Sequence, residues 1–147
     1  MACTEGSRQL ILCLVRPMSA LHRRAIASLI SKSQKAQQKL AAGTWQHKML
    51  RNNLEALHVA SALVCKETND SDRFTEDQLS DALCALGSMI ERAENAQAKF
   101  SPGTSHHTSQ RNRVEALRSA EARTKSALIG RKRLNQATQR TAGRSGF

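Results

Sequence analysis

Residues 29–64 recur as residues 89–124 at a constant offset of 60, without a gap. Fourteen of the 36 aligned positions are identical. The shared skeleton is A-Q-x-K-x-x-x-G-T-x-x-H-x-x-x-R-N-x-x-E-A-L-x-x-A-x-A. A match this long marks a tandem duplication, so whatever one copy folds into, the other must fold into as well. A fold made of two equal units leaves few architectures open.

Each unit reads as a helical hairpin. Gly43 and Gly103 stand where a left-handed residue can close a helix, and Thr44 and Thr104 follow at once as N-caps. In the second unit Thr75-Glu-Asp-Gln78 is a capping box, with Phe74 placed to staple onto Leu79. Helices are therefore expected at about 19–42, 45–65, 76–101 and 105–130. Aromatic residues make up 3% of the chain, with no Tyr, which argues against a β-sandwich or barrel. The expected fold is all-α, a four-helix bundle built from two tandem hairpins, with a basic disordered C-terminal tail. The organisation read from the chain is a 1–17 N-terminal appendage, a first hairpin 18–66, an acidic linker 67–74, a second hairpin 75–130 and a tail 131–147. Two chains exchanging hairpins would give a homodimer.

The apolar stripe weakens in the second copy. Leu50, Leu54, Leu57 and Val64 become Gln110, Val114, Leu117 and Thr124, while Trp45 and Met49 become Ser105 and Ser109. The fourth helix then offers either a bundle edge or a face that is a wet groove or partner surface; drift after duplication is the simpler explanation.

The charge is large and uneven. The formal net charge is +11. Residues 1–64 hold nine basic and two acidic side chains, residues 65–99 four and eight, and residues 100–147 ten and two. A basic surface favours nucleic acid, nucleotides or an acidic protein, and it weighs against an imitation of DNA, which would be acidic. Solubility alone is the plainer account of such a charge.

Seven polar positions are identical in both copies: Gln37, Lys39, Thr44, His47, Arg51, Asn52 and Glu55, each with its partner 60 residues on. Thr44 is expected as a cap, and Arg51 with Glu55 as an i,i+4 ion pair. Lys39, Thr44, His47 and Arg51, with Lys99, Thr104, His107 and Arg111, form paired candidate sites for an anion at a helix start. There the free N–H groups and the dipole favour negative charge, and Arg suits bidentate contact. Lys39 is expected one turn before its helix ends. Asn52 points roughly 140° away from His47 on the wheel and stays outside the set. For His47 a hydrogen-bonded place at the core edge is the simpler role. Arg131, Lys132 and Arg133 form the strongest basic cluster of the tail, a candidate nucleic-acid contact or an ordinary solvated terminus.

Other chemistries find no support. Cys3, Cys13, Cys65 and Cys84 form no Cys-x-x-Cys pair, and His106-His107 has no metal-ligand spacing with them. No metal site, cofactor fingerprint, phosphate loop or catalytic triad is legible, so no enzyme is expected. Leu10–Val15, the apolar run near the start, is too short to span a membrane. A reduced, cytoplasmic protein with no membrane partner is expected.

The stretch QKAQ-x-K-L-x-x-G-T-x-x-H-x-x-L-R-N-x-L-x-A-L-x-x-A, residues 34–60, resembles small uncharacterised helical proteins of Firmicutes bacteria and their phages. The resemblance implies a small protein of phage or mobile-element context, of the kind that binds and blocks, as counter-defence inhibitors do. The expected function is thus a non-enzymatic binding protein that captures an anionic ligand, nucleic acid or a nucleotide signal, at the paired helix-start sites. The alternative is a protein–protein inhibitor or adaptor, for example against a host defence nuclease, docking through the depleted face of the fourth helix at Gln110 and Thr124.

Overall fold

A computed structural model describes residues 20–65 and 73–144. The appendage 1–17 and nearly all of the linker 67–74 lie outside the described residues, as do Cys3, Cys13 and the side chains of Val64 and Cys65. Four helices follow one another: α1 (Ala20–Gln38), α2 (Trp45–Cys65), α3 (Glu76–Ala98) and α4 (Ser105–Ala142). The described residues hold no strand, and the helices pack as a bundle. None of the described helices is long and apolar enough to cross a membrane.

The two hairpins set the topology. Six residues join α1 to α2 and six join α3 to α4, so each pair runs antiparallel. Ten residues lie between α2 and α3. Fully extended they reach about 35 Å, barely the length of α2 itself, so these two helices also run antiparallel. Both hairpin connectors consequently sit at one end of the bundle. The start of α1, the end of α2 and the start of α3 lie toward the other.

The core is built from the apolar identities of the repeat. Ala56, Leu57 and Ala60 are buried at 1%, 0% and 0% exposure, and Ala116, Leu117 and Ala120 at 0%, 1% and 0%. The alanines let the backbones approach, and the leucines fill the centre. Leu79, Leu86, Ile90 and Ile26 complete it from α3 and α1. Each fully buried Leu or Ile contributes about 1.5–3 kcal/mol of apolar burial. The expected capping box is present: Gln78 N–H donates to Thr75 Oγ1 (3.2 Å) and Thr75 N–H to Gln78 Oε1 (3.0 Å). Phe74 packs against the core, of which Leu79 is a member.

Three expectations need correction. First, α1 and α3 end at Gln38 and Ala98, some three to four residues before the expected 42 and 101. The chain leaves each helix through tight i→i−3 bonds: Lys39 N–H to Ala36 O and Leu40 N–H to Gln37 O, matched by Lys99 to Ala96 and Phe100 to Gln97. Gly43 (φ +89°) and Gly103 (φ +88°) then serve a following turn, not the helix end. In the second copy that turn is Ser-Pro-Gly-Thr, 101–104, and proline disfavours helix at the residue before it.

Second, residues 131–142 are not a disordered tail; α4 continues through them to Ala142. Its 38 residues span about 57 Å, well beyond its neighbours. The extension is rich in Arg, Lys, Leu, Gln and Ala, all good helix formers, and contains no proline. Lys132 (3.9 Å) and Asn135 (3.3 Å) hold its first turns to Glu76 at the start of α3.

Third, Thr124 is no partner surface. It is fully buried, and its hydroxyl donates to Ala120 O at 2.8 Å. The back-bond satisfies the hydroxyl, so threonine sits inside the core without an orphaned polar group. Val114 and Leu117 are buried beside it. The face expected to be depleted is therefore mostly core.

Candidate functional site

The paired connectors are near copies in geometry as well as sequence. Thr44 Oγ1 donates to Ala41 O (2.9 Å) and accepts from His47 N–H (3.3 Å). Thr104 Oγ1 donates to Ser101 O (2.8 Å) and accepts from His107 N–H (3.2 Å). Each hydroxyl is thereby spent on closing the turn and capping the helix. Identity at these threonines is explained by structure, and neither hydroxyl proton is free for a ligand.

His107 also has a structural partner. Its Nε2 lies 3.4 Å from Gln97 Nε2, which ties the last turn of α3 to the first turn of α4. Gln37 and His47 make no such bond among the described residues. His106 stacks on Phe100, with ring centroids 5.3 Å apart.

The arginines differ from expectation in one respect. Arg51 and Glu55 form no ion pair, nor do Arg111 and Glu115; Glu115 instead faces His22 Nε2 at 3.8 Å. Arg51 and Arg111 are exposed, with no side-chain partner among the described residues. Lys39 and Lys99 are exposed as well, Lys39 just past the end of α1 and Lys99 as the C-cap of α3. His47 and Arg51, one turn apart, share a helix face. No hydrogen bond joins Lys39, His47 and Arg51 to one another. The structure thus brings Thr44 and His47 together through the cap and leaves the cations as separate charges at one end of the bundle. The two copies of this arrangement share that end.

The other basic cluster divides. Lys132 is engaged by Glu76, and Arg131 is half-buried with a partner of its own. Arg133 is exposed and unpaired among the described residues, and so is Arg140. These two, seven residues apart, lie on one face of the α4 extension. Among the described residues no group of three or more His, Cys, Asp or Glu side chains gathers to hold a metal.

One feature escaped the sequence reading. Between α2 and α3 runs an open groove of about 1030 Å³. Trp45, Met49 and Val59 line it from α2, and Phe74, Ala82 and Ala85 from α3. Trp45 is 73% exposed at one end. Asn53 is 7% exposed in the groove wall, and its side chain has no hydrogen-bond partner among the described residues. The signal was present in the repeat. Trp45, Met49 and Val59 stand opposite Ser105, Ser109 and Ser119, a difference that reads as readily as an apolar face retained on α2 as a loss on α4.

The chain matches no family model, no curated protein and no solved structure.

Proposed function

We propose that this is a non-enzymatic binding protein for polyanions, with nucleic acid as its partner and the extension of α4 as the principal contact. One observation carries the reading. After Glu121 the chain holds seven basic residues and no acidic one, and the α4 extension carries Arg131, Lys132, Arg133 and Arg140, of which Arg133 and Arg140 are exposed and unpaired among the described residues. From Arg131 to Arg140 the helix advances about 14 Å, a length that meets several successive phosphates of one strand. Arg133 and Arg140 point to one side, and guanidinium groups pair with phosphate oxygens bidentately. Neutralising a row of phosphates releases their counterions, and that release drives sequence-independent binding. Such an array favours an extended polyanion over a single nucleotide, which calls for a closed pocket with converging donors. The exposed Lys39, Arg51, Lys99 and Arg111 at the far end add to the positive field.

The test is fluorescence anisotropy with labelled single- and double-stranded oligonucleotides across a salt series. The double variant R133Q/R140Q is expected to weaken binding at every sequence and to reduce the salt slope by about two. The variant R51Q/R111Q is expected to cost less. Unchanged binding in R133Q/R140Q, or no binding of any oligonucleotide at low salt, contradicts the proposal.

A further inference from the structure

The groove between α2 and α3 takes no part in polyanion binding as described above. Three observations indicate that it is a site. The first is the buried, unpartnered Asn53 in its wall. The second is Trp45, the only tryptophan of the chain, 73% exposed at its end. Exposed tryptophan beside an apolar trough is the residue type that anchors interfaces.

The third comes from the duplication. Positions 45, 49 and 59 are apolar on α2, while their equivalents on α4 are Ser105, Ser109 and Ser119. The same helical hairpin thus folds with serine at these places. Folding alone does not require Trp or Met there, while Val59 is buried and serves the core as well.

The shape and charge of the groove select its occupant. It extends along α2 from Trp45 to Ala62, about 26 Å, and lies between two antiparallel helices, a trough that a third helix fills. Its charged lining alternates along that length. Lys48 and Arg92 stand at the Trp45 end, Glu55 about two turns further along α2 and Asp81 about three turns from Arg92 along α3, and Arg73, which has a partner of its own, at the Phe74 end. A second copy of this chain laid groove to groove would set basic ends on basic ends and the acidic middle on the acidic middle. That holds for either orientation of the two-fold axis, so charge disfavours self-association here.

We infer that the groove binds an amphipathic helix of another protein. That helix presents an apolar stripe to Met49, Val59 and Phe74. It carries acidic, basic and acidic residues in turn, two turns apart, and places a polar group within that stripe against Asn53.

The sole tryptophan makes the test direct. The full chain is titrated with a synthetic helical peptide of about five turns carrying a leucine stripe with Glu, Lys and Glu at two-turn intervals. A second peptide has the charges reversed. The matched peptide is expected to shift Trp45 emission to the blue and to bind about tenfold more tightly than the reversed one. In the variant K48E/R92E, both surface positions, the preference at that end is expected to narrow or invert while the helical circular dichroism stays unchanged. Peptide-mapped alkylation of Cys84, which lines the groove, is expected to slow when the matched peptide is bound. Equal affinities for the two peptides, or no blue shift with either, overturn the inference. So does sedimentation as a dimer without peptide whose dissociation follows Trp45→Ala, because the groove is then the seat of a second copy.

Discussion

The two seams that join the hairpins are related by the same offset of 60 and have reached opposite states. At the α1/α4 seam His22 lies 3.8 Å from Glu115, and its Nδ1 is 3.5 Å from Ser119 Oγ. Sixty residues away, the equivalent positions at the α2/α3 seam are Ala82, Glu55 and Val59. One seam is bridged by polar contacts between its two helices. The other is an open groove of mixed apolar and charged lining, with Asn53 in its wall making no side-chain hydrogen bond among the described residues. At the centre of the bundle the copies agree, since Ala56, Leu57 and Ala60 remain Ala116, Leu117 and Ala120, while buried positions around it have changed, as Leu54 against Val114. Close packing constrains the centre in both copies alike. The seams face solvent on one side, and there each copy was free to change.

That contrast sets the expected sizes of effect. The largest belong to the shared centre, where Leu57→Ala and Leu117→Ala should each cost about 2–5 kcal/mol in urea unfolding. The two values should agree within about 1 kcal/mol. Clearly unequal costs would break the claim that the halves remain equivalent at the core. The caps come next. Thr44→Ala and Thr104→Ala should each cost about 1 kcal/mol, again nearly equal, as read from the same unfolding curves. At the seam the smallest effect is expected: Trp45→Ser, which installs the residue of the other copy, should change stability by under about 0.5 kcal/mol. A large loss there would make Trp45 a structural residue and remove the basis for a site.

Much of this was legible in the chain, for identifiable reasons. The duplication, the capping box at Thr75 and the caps at Thr44 and Thr104 are local patterns, and local chemistry decides them. The helix ends were misplaced because glycine was assigned to the helix terminus, whereas the i→i−3 bonds at Lys39 and Leu40 end α1 earlier. The extension of α4 was missed because a run of charge resembles a solvated tail, although its residues favour helix and Glu76 anchors it. A hydroxyl is polar, and in the sequence Thr124 therefore looks like surface. Its back-bond to Ala120 O, visible only once the helix is built, makes it core. The paired polar positions were partly structural, as the spent hydroxyls of Thr44 and Thr104 and the Gln97–His107 contact show. The groove depends on how α2 meets α3, and no spacing within either helix encodes that.

The most direct test of unequal seams is an amide chemical-shift map of the full chain titrated with the matched helical peptide. Met49, Asn53 and Val59 should move, while their equivalents Ser109, Arg113 and Ser119 should stay in place. Equal shifts in both sets, or shifts confined to the second, would contradict the account.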